Sequence, residues 1–411
     1  MDYMLDPDRF PTNWLGFTSL RAVLLGPQEW KQLDPAQQDA VLFWTASGGD
    51  LLFLDGAAET LLPAGQSPVG LGGTESVLPY YLGNIHLVKS ADIAAKGFEP
   101  LIRDLGDQVA TPDWSLPAVR SRDWGWIAER GFRLPIEGAG NVPSRAYLSI
   151  LAVFIALIGP VNYIYLWRKR QQVLLVLTVP LISAAFIALV AGYGLLSEGF
   201  DVNARAVTFT VLDQNSKRAA THASVSLYPG GITPGDGVRF ASDVAVFPLG
   251  TDGSGTRGTM SLDLTGEQKF QAGLLQARTP GNFEQILFQP ARQRLNFERN
   301  GSGLSVVNGL GATVKRLYYR DGGQMYALAK ELASGERASL GIEPLKGATL
   351  FAEALKSTPL STLKFQQVID RQPRGSFVAV LEKSPFWDPG VAQMNEARSF
   401  HMVLGYAGGQ P

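Results

Sequence analysis

The chain has 411 residues, 45% of them apolar, and a formal net charge of −1. That balance gives no global electrostatic reason to bind nucleic acid or an anionic surface. It has no cysteine and three histidines, His86, His222 and His401, which excludes disulfides, thiolate zinc sites, iron–sulfur clusters and a cysteine nucleophile within these residues.

The opening "MDYMLDPDRFPTNW" has neither a cationic n-region nor an apolar h-region, so it does not read as a signal peptide. Residues 20–26, "LRAVLLG", read as a buried strand. In "DPAQQDAVLFWTASGG", 34–49, Asp34 suits an N-cap, Pro35 the first helical position and Gly48-Gly49 the stop. "DLLFLDG", 50–56, is a second apolar strand, and "NIHLVKS", 84–90, a candidate third. A β-α-β unit implies a parallel sheet with a right-handed crossover. One or two crossovers make a poor domain, because both faces of a parallel sheet need cover. The expectation is therefore a partial α/β domain over residues 1–135, the rear part of a longer α/β unit.

The stretch "FPTNWLGFTSLRAVLLGPQEWKQLDPAQQDAVLFWTASGGDLLFLDG" resembles the rear half of a class I glutamine amidotransferase-like domain, of flavodoxin-like architecture. It resembles the variety attached to uncharacterised bacterial membrane proteins, in which two helices and a β-rich region follow. The "IGPVNYIYLWRKR" hairpin and "LLSEGF" fit that pattern. Amidotransferases of this class attack glutamine with a cysteine thiolate, which these residues lack, so the resemblance implies a scaffold and not that chemistry.

Residues 136–146 read as a linker. Residues 147–166 and 173–196 carry no charge and are each long enough to span a hydrocarbon core of roughly 30 Å. Pro160 and Pro180 lie inside them, and "IGP" at 158–160 is the expected kink. Asn162 is the one strongly polar side chain in the first run and is expected to contact the second helix. Tyr163, Tyr165 and Trp167 suit the headgroup zone. Arg168, Lys169 and Arg170 crowd the 167–172 connection, whereas Arg133, Arg145 and Arg205 are sparse on the other flanks. By the positive-inside rule the loop faces the cytoplasm, and both flanking modules face outward across a plasma membrane.

After residue 197 the pattern changes to alternation with Gly-rich turns, as in "RAVTFTVLD", "ATHASVSLYPGG", "TMSLDLTG" and "GSFVAVLEK". "QNSK" at 214–217 reads as a turn and "RDGG" at 320–323 as a tight hairpin. The region 197–411 is expected to be an all-β sandwich, in one or two parts, with a helix at 344–358.

No catalytic, metal or cofactor motif emerges. "GQSPVGLGGTES", 65–76, lacks the Lys and Ser/Thr of a phosphate loop, and "GTDGSGTRG", 250–258, has the wrong spacing for a nucleophile elbow. The three histidines share no short spacing and are expected to be hydrogen-bonded structural side chains. Trp114, Trp124 and Trp126, near Arg120, Arg122 and Arg130, read as packing or headgroup residues, with glycan stacking as the functional alternative. The expected function is a non-catalytic envelope scaffold that binds partner proteins and the lipid bilayer. The alternatives are an enzyme or carbohydrate binder using a cleft between the modules, and an accessory transport subunit.

Overall fold

In a computed structural model of the chain, the structure describes residues 6–20, 22–62, 69, 76–96, 134, 136, 144–198, 201–230, 237–249, 260–301, 303–342 and 374–407. The Trp-rich stretch 113–132, the loop 250–258 and the expected helix 344–358 lie outside the described residues, as does most of the Gly-rich stretch 65–76.

The N-terminal module runs β1 (Ala22–Leu25), α1 (Pro27–Gln32), α2 (Pro35–Ala46), β2 (Asp50–Leu54), α3 (Ala58–Leu61), β3 (Val77–Tyr80), β4 (Gly83–Val88) and α4 (Ser90–Lys96). Its sheet has the order β1-β2-β4-β3. β1, β2 and β4 are parallel, and β3 joins β4 antiparallel. Helix α2 starts where sequence chemistry places it. Asp34 Oδ1 accepts from Gln37 N at 2.8 Å while Gln37 Oε1 accepts from Asp34 N at 2.9 Å, a reciprocal cap of the first turn. Four elements escape the sequence reading: the short helices α1, α3 and α4, of six, four and seven residues, and β3, whose Pro79 disfavours a strand except at a sheet edge, where β3 lies. Gly83 permits a close approach: a Cβ there would run into the carbonyl oxygens of Thr45 and Gly49, so α2 could not sit as near β4.

The first apolar helix combines α5 (Ser144–Ala156), a π turn at Leu157–Val161 and α6 (Asn162–Arg168). The π turn holds Pro160, so the missing N–H is absorbed by a wider turn at the expected "IGP" position. A 3-10 turn at Gln172–Leu174 leads into α7 (Leu175–Glu198), which passes through Pro180 without interruption. The connection is shorter than the expected 167–172, because Trp167 and Arg168 continue the helix.

The C-terminal module is β-rich. It comprises β5 (Val202–Asp213), β6 (Arg218–Pro229), β7 (Val238–Phe240), β8 (Ala245–Leu249), β9 (Ser261–Asp263), β10 (Gln268–Ala272), β11 (Gly281–Pro290) and β12 (Arg294–Asn300). There follow β13 (Gly303–Gly309), β14 (Val314–Asp321), β15 (Gln324–Leu328), β16 (Arg337–Ile342), β17 (Ser376–Leu381), β18 (Met394–Glu396) and β19 (Phe400–Tyr406). One sheet runs β12-β13-β16-β15-β14-β17-β19-β5-β6-β11-β8, with β18 beside β5, and a small sheet runs β7-β10-β9. The β14–β15 hairpin turns on Gly322-Gly323, with Gly322 at φ +58°, a conformation that favours glycine. The last strand, β19, lies between β17 (antiparallel) and β5 (parallel).

Strands β5, β6 and β11 are buried on both faces along most of their length. On one face, Ala206, Ala223, Val225 and Phe283 pack with Phe240 and Phe270 of the small sheet. Further along, Leu212, Ala379 and Val403 pack with Leu295, Leu304 and Val306, so the long sheet folds back over itself. On the other face, Val207, Phe209, Val211, Ile286, Phe288, Met402 and Leu404 join Trp14, Phe17, Val41, Trp44 and Phe53 in a single core. The two regions read separately from the sequence therefore form one head. Period-two patterning shows two faces of a sheet but not what covers each of them.

Candidate functional site

The apolar helices Arg145–Arg168 and Gln172–Tyr193, of 24 and 22 residues, are long and apolar enough to cross a membrane. At 1.5 Å per residue they reach about 33–36 Å. They are not core helices of the head, since Val173 is 85% exposed, Val176 81% and Ile187 70%. Specific side chains meet between them. Asn162 Nδ2 donates to Thr178 Oγ1 at 2.9 Å, and Asn162 is buried. Phe154 meets Phe186 with ring centroids 4.5 Å apart, and Tyr147 meets Tyr193 edge-on at 5.8 Å. The amide thus points into the pair, not outward.

The turn between the helices has a defined stop. Gln171 N donates to Leu166 O and Arg170 N to Trp167 O, both at 3.0 Å. These are the two bonds of a Schellman closure, whose left-handed position is ordinarily glycine. Here it is Arg170, at φ +54°. Lys169 Nζ lies 4.7 Å from the centroid of the Tyr165 ring. Arg168, Lys169, Arg170, Tyr163, Tyr165 and Trp167 are all exposed.

The junction of the two modules is filled by aromatic and polar contacts. Phe288 of β11 packs edge-on against Phe43 of α2 at 4.8 Å and Tyr81 at 5.0 Å. The Arg218 guanidinium sits over Phe43 at 5.0 Å, a cation–π contact. Trp14 Nε1 donates to the Asp243 carbonyl at 2.8 Å, and the Tyr81 hydroxyl pairs with that of Ser216 at 2.7 Å. Burial pushes the Tyr81 phenol well above its usual range, and Tyr80 beside it up to about 12 despite the opposing Arg218 charge. These residues pack into the core that the two modules share. Sequence reasoning missed them because Phe43 and Phe288 look like ordinary apolar positions.

Each histidine lies beside a carboxylate. His86 Nε2 is 3.1 Å from Asp50 Oδ1, which also accepts from Asn84. His222 Nε2 is 3.6 Å from Glu284 Oε2 across β6 and β11. His401 bridges Glu396, at 2.8 Å from Nε2, and Thr208 Oγ1, at 2.9 Å from Nδ1, with Trp387 stacked on its ring. The last set has the membership of a hydroxyl–imidazole–carboxylate relay. Thr208 and His401 are 0% exposed, so no substrate reaches the hydroxyl; the relay ties β18 to β19 and β5. Among the described residues no three His, Cys, Asp or Glu side chains converge as metal ligands.

No family model matches the chain, and no curated protein does. Among solved structures, a search finds the yeast delta-COP-I mu-homology domain complexed with Dsl1 WxWxV peptide, 6% identical. The match covers 50% of this chain and 95% of that one, with a TM-score of 0.20, too low to carry a fold or a function across.

Proposed function

We propose that the chain is a non-catalytic membrane protein whose helical hairpin anchors one composite head, which serves at a bacterial plasma membrane as a scaffold for partner proteins. One observation carries this reading: residues before and after the hairpin share a single core, Phe43 and Tyr81 against Phe288. Two segments that share a core lie on one side of a bilayer. A two-span hairpin is the arrangement that returns the chain to that side, with the 169–171 turn on the other. Three cations at that turn then favour a cytoplasmic turn and an extracytoplasmic head.

The amidotransferase-like resemblance belongs to this reading as a scaffold. It is supported by three parallel strands, β1, β2 and β4, with α2 crossing between the first two. With no cysteine in the sequence, thiolate chemistry has no residue here to perform it.

The cysteine-free background makes the test direct. Lys31→Cys, Lys315→Cys and Gln171→Cys are all at exposed positions. A membrane-impermeant maleimide applied to intact spheroplasts is expected to label the first two, and the third only after permeabilisation. Labelling of positions 31 and 315 from opposite sides would overturn the shared head, and labelling of 171 alone would invert the topology.

A further inference from the structure

We propose that the 168–171 turn binds the phosphodiester headgroup of an anionic phospholipid; this rests on the membrane reading above and specifies its lipid partner. The first observation is an unbalanced charge. Arg168, Lys169 and Arg170 are exposed, and the one carboxylate between residues 144 and 198 is Glu198, at the far end of α7. Among the described residues no ion pair is made by these three side chains. Their counter-charge therefore comes from outside the hairpin.

The second observation is strain. Arg170 holds the left-handed position of the Schellman closure at φ +54°. Glycine takes that conformation without penalty, whereas a residue with a Cβ is disfavoured there. The turn thus keeps a cation at a position where backbone geometry favours its removal, and strain of this kind points to a function of the side chain.

The third observation is placement. Lys169 rests over the Tyr165 ring, and Tyr163, Tyr165 and Trp167 are exposed around the same end of the helix. Amphipathic rings of this sort settle at headgroup depth, which puts the three cations at the level of lipid phosphates. The start of α7 adds the positive end of a 24-residue helix on the same side. Arginine forks match phosphate oxygens two at a time, and lysine adds a point charge.

The test uses the full chain purified in detergent, offered equimolar phosphatidylglycerol and phosphatidylcholine, with retained lipid counted by native mass spectrometry. Phosphatidylglycerol is expected to be retained preferentially, and the preference to fall about fivefold for each of Arg168→Gln, Lys169→Gln and Arg170→Gln. Arg145→Gln, at the opposite end of the hairpin, is expected to leave it unchanged. Arg170→Gly separates charge from backbone, because it relieves the strained turn and is expected to raise thermal stability while lowering lipid preference. Equal retention of both lipids, or a preference that survives the triple replacement, would each overturn the headgroup site. A chain that stays monodisperse without detergent would instead overturn the membrane reading, so the two failures are distinguishable.

Discussion

Replacing Phe288 by alanine tests the single-head architecture at its centre. The ring is 4% exposed and touches Phe43 and Tyr81, which belong to the other module. A buried Phe→Ala change costs about 3–5 kcal/mol through lost transfer energy and the cavity left behind. Phe43 is half-buried, so Phe43→Ala is expected to cost about half as much. The pair adds a coupling of about 0.5–1.5 kcal/mol from its edge-on geometry, so the double variant should fall short of the summed singles by that amount. Chemical denaturation of the full chain in detergent measures the cycle, and hydrogen exchange locates it. Phe288→Ala is expected to accelerate exchange in α2, although the substitution lies in β11. Strict additivity, with α2 exchange unchanged, would show two independent modules and remove the basis for placing them on one side of a membrane.

Asn162→Ala is expected to lower the thermal stability of the hairpin in detergent, by about 0.6–2 kcal/mol, with Thr178→Val doing the same and the double variant no worse than either. Burial pushes the Glu396 carboxyl up, but the hydrogen bond and charge of His401 outweigh it and hold it below the ordinary glutamate value of 4.5. Stability from this depressed group is present above that value and is lost as pH falls through the lowered one, so Glu396→Gln should lower the melting temperature at neutral pH and flatten its decline in acid. A fragment of residues 201–407 exposes Val207, Phe209, Ile286, Phe288, Met402 and Leu404 and is expected to aggregate on size exclusion unless residues 6–96 are co-expressed. A monodisperse fragment would contradict the shared core.

The hairpin was legible because lipid and water sort residues by charge, and two uncharged runs around three cations leave one local solution. Helix α2 was legible because Asp34, Pro35 and Gln37 interact within one turn. Asn162 stood out as polar among apolar neighbours, but its partner Thr178 did not, since threonine in such a run has no period or exception to mark it. The Schellman stop at Arg170 was invisible because a left-handed residue is normally announced by glycine. Contacts distant in sequence were the least readable. Nothing local to Phe43 specifies Phe288, and nothing local to β19 specifies parallel pairing with β5 nearly two hundred residues earlier.

That pairing has a consequence for biogenesis. Because β19 supplies Met402 and Leu404 to the face that covers the first module, that cover stays incomplete until β19 has been made. Roughly three hundred residues separate α4 from β19, and at about 5–20 residues per second the ribosome needs about 15–60 s to deliver them. Two helices long and apolar enough to cross a membrane are made during that interval. The nascent chain therefore presents a sticky α/β surface to its surroundings for tens of seconds, an interval over which a holdase chaperone is expected to raise yield.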